Sequence, residues 1–311
     1  SCSSPNASRF ASPVSHSSSH VSRFSSLVTI MRGCSHSCSY CVVPGVRGPA
    51  VCRPPDEILK EASEKTLAGA SEIVLLGQTV NSYRYFPQNG AAAVTFPDLL
   101  KKVCSLEKVK RLRFMSPHPV YIDESLAGTI AAEPKIARHV HLPAQSGSDR
   151  ILTLMRRGYT RAGFLDRISM MREAAGDVVI STDFIVGFPS ETREDLRQTL
   201  SLISEAGFSS AYCFKYSGRP GTASAAFPEK VSPGEAGERL GLLLDAVRQS
   251  AVKTALARKG TTEEVLLETS LSGRTSSNLW VKFDEEGTPG TLVKAEITGV
   301  KQSSLTGRII K

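Results

Sequence analysis

No apolar run in the 311-residue sequence approaches the length of a membrane span, which excludes a membrane-crossing helix. The cysteines number seven, an odd count with three of them in one loop, which argues against a disulfide scaffold and for a reducing compartment. Acids are missing from residues 1–26, which hold twelve serines, two arginines and few large apolar residues. Such a segment cannot bury enough surface to offset its ordering entropy, so disorder is expected there. Its acid-poor, Ser/Arg-containing character also resembles an organelle transit peptide, and a mitochondrial or plastid address stands beside the cytoplasm. The first residue is Ser1, not Met, which leaves a trimmed chain or an internal linker as alternatives.

What is present is a chain long enough for two domains, with 41% hydrophobic residues, enough for a proper core. The net charge of +8 and a pI near 9.2 point to a polyanionic partner. Its chemistry concentrates in Cys34-Ser35-His36-Ser37-Cys38-Ser39-Tyr40-Cys41, with cysteines at C-x3-C-x2-C spacing after the apolar run Leu27–Met31. Three thiolates on a Ser/Gly-rich loop can turn inward together on one metal centre. A structural zinc site takes four protein ligands, and no fourth Cys or spaced His completes this one. On a cubane cluster, three cysteines leave one iron open to an outside ligand, a catalytic arrangement. Cys2, Cys52, Cys104 and Cys213 are scattered and read as packed or surface thiols.

From Leu27 onward the pattern is strand, loop, helix, repeated. Strands are expected at Ile73–Leu76, Arg111–Met115, His139–Leu142, Val178–Val186 and Ala211–Tyr216, with 84–95 as a loop. Helices are expected from Pro54 to Gly69 and over Phe96–Leu106, Tyr121–Ala131, Arg150–Arg156, Arg161–Ala175, Thr192–Ala206 and Ser232–Lys259. Six such units predict an α/β fold with a parallel sheet covered by helices. In such sheets ligands meet the carboxyl ends of the strands, and every polar motif falls there. After Gly260 the character changes: Val265–Glu268, Leu279–Phe283, Leu292–Ile297 and Leu305–Ile310 are short alternating segments with glycine-bearing turns, the pattern of a small antiparallel barrel. Its Arg274, Lys282, Lys294, Lys301 and Arg308 make a basic surface.

The cysteine spacing, with Tyr40 before the last cysteine, resembles the radical S-adenosylmethionine (SAM) superfamily. Met31-Arg32-Gly33-Cys34, Cys41-Val42-Val43-Pro44, Arg47-Gly48 and Arg53-Pro54 narrow the likeness to the MiaB-type tRNA methylthiotransferases. Gly273-Arg274-Thr275, Asn278 and Ser304-Leu305-x-Gly307 resemble the TRAM domain, an RNA-binding barrel. The resemblance implies a radical-SAM partial (βα)6 barrel over 27–259 followed by a small all-β TRAM barrel over 260–311. It further implies a 4Fe-4S cluster on Cys34, Cys38 and Cys41, SAM on the open iron, and release of a 5′-deoxyadenosyl radical after electron transfer. Tyr40 would lie along the adenine. Gln78, Asn81, Gln145, Ser146 and Asp183 would bind SAM, and Arg219 would face substrate or carboxylate. Arg47 and Arg53 are candidates for charge near the cluster or a substrate phosphate. Thr79 stands where the family usually has asparagine.

Gly77-Gln78-Thr79-Val80-Asn81-Ser82-Tyr83 and Gln145-Ser146-Gly147-Ser148 sit closest to the branch acting on N6-isopentenyladenosine beside the anticodon. The threonylcarbamoyl-adenosine branch is the alternative, and a basic RNA-binding module with a structural metal is the alternative of another class. tRNA and a reductant protein are the implied partners, and a monomer is expected. Family members also carry an N-terminal domain with three further cysteines for a second cluster. Before Cys34 this sequence has only Cys2, so the likeness covers about 27–311.

Overall fold

The structure is a computed structural model that describes residues 24–310. Most of the segment expected to be disordered, 1–26, therefore lies outside the described residues. Its boundary needs correction, because Ser25 and Ser26 already belong to strand β1 (Ser25–Thr29). They are held there by a parallel ladder to Glu72 and Ile73, and the Ser25 hydroxyl donates to Glu72 Oε1 at 2.7 Å.

Five more strands follow: β2 (Glu72–Leu76), β3 (Arg111–Phe114), β4 (His139–His141), β5 (Val179–Val186) and β6 (Ser210–Lys215). Strands β1, β2 and β3 form one parallel sheet, and β4, β5 and β6 a second. A parallel bridge from Leu112 to Ile136 carries the first into the second. The six strands thus follow one another in chain order. Among the described residues β1 and β6 share no ladder, so the array stays open. Interleaved are α1 (Pro55–Leu67), α2 (Phe96–Cys104), α3 (Glu124–Ala132), α4 (Asp149–Leu154), α5 (Arg161–Ala175) and α6 (Arg193–Ala206), followed by α7 (Pro233–Leu256).

Local chemistry sets these bounds. Helix α6 opens on the expected capping box, Thr192 with Asp195, and stops at Gly207 in the left-handed region. Helix α3 begins three residues later than the apolar pattern suggests, because Asp123 caps it by accepting from Leu126 N at 2.8 Å. Residues 84–95 are not wholly irregular, since Arg84–Tyr85 pairs with Val94–Thr95. Strand side chains Val28, Ile73, Leu75, Leu112, Val140 and Ile180 and the helix residues Ile58, Leu99, Phe164 and Leu202 are fully buried in one continuous core. Each such side chain contributes about 1.5–3 kcal/mol.

The C-terminal segment closes into a five-stranded barrel with its own core around Val265, Leu267, Val281, Ala295 and Leu305. Its strands are β7 (Thr262–Thr269), β8 (Ser272–Thr275), β9 (Trp280–Phe283), β10 (Leu292–Lys301) and β11 (Ser304–Ile309), ordered β7-β8-β9-β11-β10. Two features depart from the expected antiparallel four: β8 is an extra strand, and β9 with β11 is parallel. A Cβ on Gly273 would lie 2.2 Å from Leu266 O, so only glycine admits β8 there.

This barrel docks on the amino ends of β1–β4. Glu72 accepts from Arg111 Nε at 2.6 Å and Arg113 Nε at 2.7 Å, all three buried. The two guanidiniums reach on to the carbonyls of Arg274, Thr275 and Ser276 in and beside β8. Ser71 Oγ donates to Gly290 O, and Arg138 N to Ser276 Oγ.

Candidate iron–sulfur and SAM site

The cysteine loop leaves the carboxyl end of β1 and is tied at its base, where Met31–Arg32 pairs antiparallel with Val51–Cys52. Gly33 has φ +70°, and a Cβ there would lie 2.1 Å from Pro49 O. The loop closes through Cys34 N to Gly48 O at 3.1 Å and Ala50 N to Ser35 Oγ at 3.1 Å. Buried Ser39 pins the other side: its N donates to Met155 O and its hydroxyl to Leu154 O, the last carbonyls of α4.

Cys34, Cys38 and Cys41 are free and half-buried on this loop. Burial pushes the Cys41 thiol up, a backbone bond from Val43 opposes this, and neighbouring Cys38 and Cys34 add to it. Thr79 Oγ1 lies 3.6 Å from Cys34 Sγ, and Arg157 Nη1 donates to Cys38 Sγ at 3.3 Å. Among the described residues no trio of His, Cys, Asp and Glu converges on a point that could hold a single metal ion. In a cubane each thiolate takes its own iron, so the sulfurs need no common point. An all-sulfur set of three, with a hydrogen-bond donor behind one sulfur, fits that group and leaves a fourth iron without a protein ligand.

The remaining expected site residues divide. Tyr40 is half-buried against Ile151, Met155 and Phe188, and burial pushes its hydroxyl up. Gln78 is half-buried at the end of β2 and bonds no described residue. Gln145 sits at φ 68°, its backbone bridging Asp183 O and Ile185 N across to β5. Asp183 Oδ1 lies 3.2 Å from His141 Nε2, and the carboxylate is part-exposed. Asn81 is committed elsewhere: its amide bonds His118 O and N at 2.9 and 2.8 Å, fastening two strand ends. Ser146 is also turned away, its hydroxyl lying 3.4 Å from Thr199 on α6. Gly147 permits this, since a Cβ there would lie 2.5 Å from Thr199 Cα. Arg53 is neutralised by Glu61 and Glu57 and caps Thr29 O, so it is structural. Arg219 and Arg47 are exposed, and Arg219 bonds its neighbours only through its carbonyl.

Sequence reasoning missed several neighbours. His36 stacks on His118 at 4.2 Å between ring centroids, and burial, followed by the nearby Arg157 charge, pushes His118 down to about 2. Ser181 Oγ bridges His139 and His141 at 2.9 Å each. Glu191 accepts from Gly187 N and from Arg239, shaping the turn after β5. Apart from the local bond of Gly187 to Glu191, these partners come from distant strands, helices or turns, so the neighbouring sequence does not signal them.

Known proteins place this geometry. The Radical SAM superfamily pattern matches residues 28–203. Among curated relatives, the tRNA-2-methylthio-N(6)-dimethylallyladenosine synthase of Actinobacillus succinogenes is 42% identical over 294 residues, 91% of this chain and 61% of that protein. The protein of the same name from Photorhabdus laumondii is 39% identical over 297 residues, 92% of this chain and 62% of its own. The chain therefore spans about three-fifths of the length of these relatives. Among solved structures, Escherichia coli coproporphyrinogen III oxidase, a radical SAM enzyme, superposes with a TM-score of 0.54 at 15% identity, covering 89% of this chain and 67% of that one. Methylornithine synthase gives 0.50 at 16% identity, covering 73% of this chain and 62% of that one. The loop of three free cysteines at the carboxyl end of an open parallel array lies within the matched span, and the chain belongs to the radical SAM superfamily, whose cofactors are a 4Fe-4S cluster and S-adenosylmethionine.

Proposed function

We infer that this chain is the SAM-cleaving and RNA-holding part of a tRNA methylthiotransferase acting on N6-isopentenyladenosine at the adenine C2 carbon. The observation that carries the reading is the identity of 42% to a curated relative of that activity over 91% of the chain, the cysteine loop included. Cys34, Cys38 and Cys41 hold the cluster, and Gln78, Gln145 and Asp183 are the polar groups left available around SAM. When bound, the cluster and SAM supply a one-electron reductive cleavage that yields a carbon-centred radical. The chain's own part is to orient and shield. Tyr40 offers an apolar face beside the loop, and His36 within the loop stacks on His118, with Tyr121 and Tyr159 edge-on to that pair. The C-terminal barrel is a TRAM domain, with exposed Lys282, Lys294 and Lys301 as its phosphate-binding groups. Arg274 and Arg308 contribute less, being paired with Glu268 and Glu296. The protein works as a monomer in a reducing compartment, with an external one-electron donor protein.

The test is anaerobic. The reconstituted, reduced chain with SAM should form 5′-deoxyadenosine. tRNA carrying N6-isopentenyladenosine should bind and stimulate this more than unmodified tRNA or tRNA with threonylcarbamoyl-adenosine. Equal stimulation by all three would remove the assigned base, and a colourless zinc protein would remove the enzyme.

A further inference from the structure

Four arginines are deeply buried among the described residues: Arg111, Arg113, Arg157 and Arg239. Arg111 and Arg113 share Glu72, and Arg239 has Glu191. Arg157, at 6% exposure, has no carboxylate partner among the described residues. Its guanidinium donates to the Tyr159 hydroxyl at 3.0 Å, the Pro143 carbonyl at 3.3 Å and the Cys38 sulfur at 3.3 Å. It also lies over the Tyr159 ring, 5.3 Å from the centroid. A buried, unmatched cation is strongly unfavourable, and it persists where an anion completes it. The group it faces is the sulfur of a residue placed here as a cluster ligand.

Neither hydroxyl nor carbonyl supplies the missing negative charge. The Pro143 carbonyl is a dipole without net charge, and the Tyr159 hydroxyl keeps its proton to donate it onward. Position is fixed as well: Tyr159 OH in turn donates to Pro143 O and Ala144 O at the end of β4, so the guanidinium is clamped on the loop side. Ser39, one residue beyond Cys38, is tied to the end of α4, only two residues before Arg157 in the chain.

We propose that Arg157 is the positioning residue that sets the redox potential of the cluster, as a fixed positive charge hydrogen-bonded to the Cys38 sulfur. The inference rests on the cluster reading. A cluster that accepts one electron from an external reductant gains one negative charge, while Arg157 keeps its proton and no bond changes. A cation held at the ligand sulfur in a low-dielectric site favours the reduced form and makes the potential less negative.

The experiment is a redox titration of the reconstituted chain, followed by electron paramagnetic resonance, with iron counted on each sample. Arg157→Gln should lower the equilibrium constant for reduction at least tenfold, a shift of about 59 mV to more negative potential. Arg157→Lys keeps the charge and should shift less than half as far. Loss of the cluster from Arg157→Gln but not from Arg157→Lys would also support the proposal, since charge is what separates the two. An unchanged potential in a fully loaded Arg157→Gln would overturn it. So would equal cluster loss in both variants with unaltered melting, which makes Arg157 a packing group. A wild-type chain that holds no cluster would instead refute the cluster reading itself.

Discussion

The C-x3-C-x2-C spacing of Cys34, Cys38 and Cys41 was legible in the sequence, and the structure places all three, free and half-buried, on one loop. Replacing any one with Ala should abolish iron retention and SAM cleavage. Cys104→Ala and Cys213→Ala should leave both intact, as these thiols sit in the hydrophobic core and beside it, apart from the loop. Iron analysis and 5′-deoxyadenosine assay decide between the two sets, and cluster loss in Cys213→Ala with retention in Cys38→Ala would reverse the assignment. Asn81 and Ser146 looked equally well placed in sequence, and their strand-end positions hold. What the sequence did not contain was the direction of their polar atoms. Asn81 spends its amide on the His118 backbone, and Ser146 turns to α6 because Gly147 lets that helix come close. Arg157 was invisible for the same reason: its sulfur partner lies 119 residues away in the chain.

The strands and helices of the parallel array could be read with small shifts, since each is an apolar run between capping or glycine signals. Strand β8 could not. Ser272-Gly273-Arg274-Thr275 has no alternating apolar residues, and it becomes a strand only through ladders to β7 and β9. The cysteine loop is likewise a tertiary object, shaped by the close approach of Gly33 to Pro49. Gly33→Ala would combine a left-handed backbone with a Cβ 2.1 Å from a carbonyl oxygen. The strain alone is about 1–3 kcal/mol, and the clash adds to it. The variant should melt lower and retain less than the full complement of about four irons. An Ala variant with wild-type melting and iron content would show that the loop tolerates a different path.

The join between the strand array and the C-terminal barrel is centred on the Glu72 carboxylate, with the Ser71–Gly290 and Arg138–Ser276 bonds beside it. Burial alone would raise the Glu72 carboxyl, but Arg113, Arg111 and Ser25 hold it down at about 2. Its folded value lies below its ordinary 4.5, so its stabilisation is present above about pH 4.5 and is lost as pH falls toward 2. Glu72→Gln leaves two buried guanidiniums without their anion and should cost about 3–5 kcal/mol. Urea unfolding from pH 7 to pH 3 should show the wild-type advantage shrinking below pH 4.5. A difference constant across that range would mean that Glu72 is not the ionised partner. For RNA, replacing Lys282, Lys294 and Lys301 with Ala should weaken tRNA binding and flatten its salt dependence, by about 0.7–0.9 in log–log slope for each phosphate no longer neutralised. These lysines are exposed, so melting should not move. An unaltered slope would leave the barrel without an RNA role.

The barrel meets the array at the amino ends of its strands, while the cysteine loop leaves from the carboxyl end. Between them stands the height of the array, which at the five-residue β1 and β2 is about 17 Å. On the proposed reading the molecule works like a caliper, gripping RNA at one jaw and reacting at the other. An isolated nucleoside or a short loop fragment can enter one jaw only. The grip at the barrel can favour reaction at the loop only for an RNA long and stiff enough to bridge that gap, and a nested series of shortened stem-loops should lose its salt-dependent affinity in one step at that length.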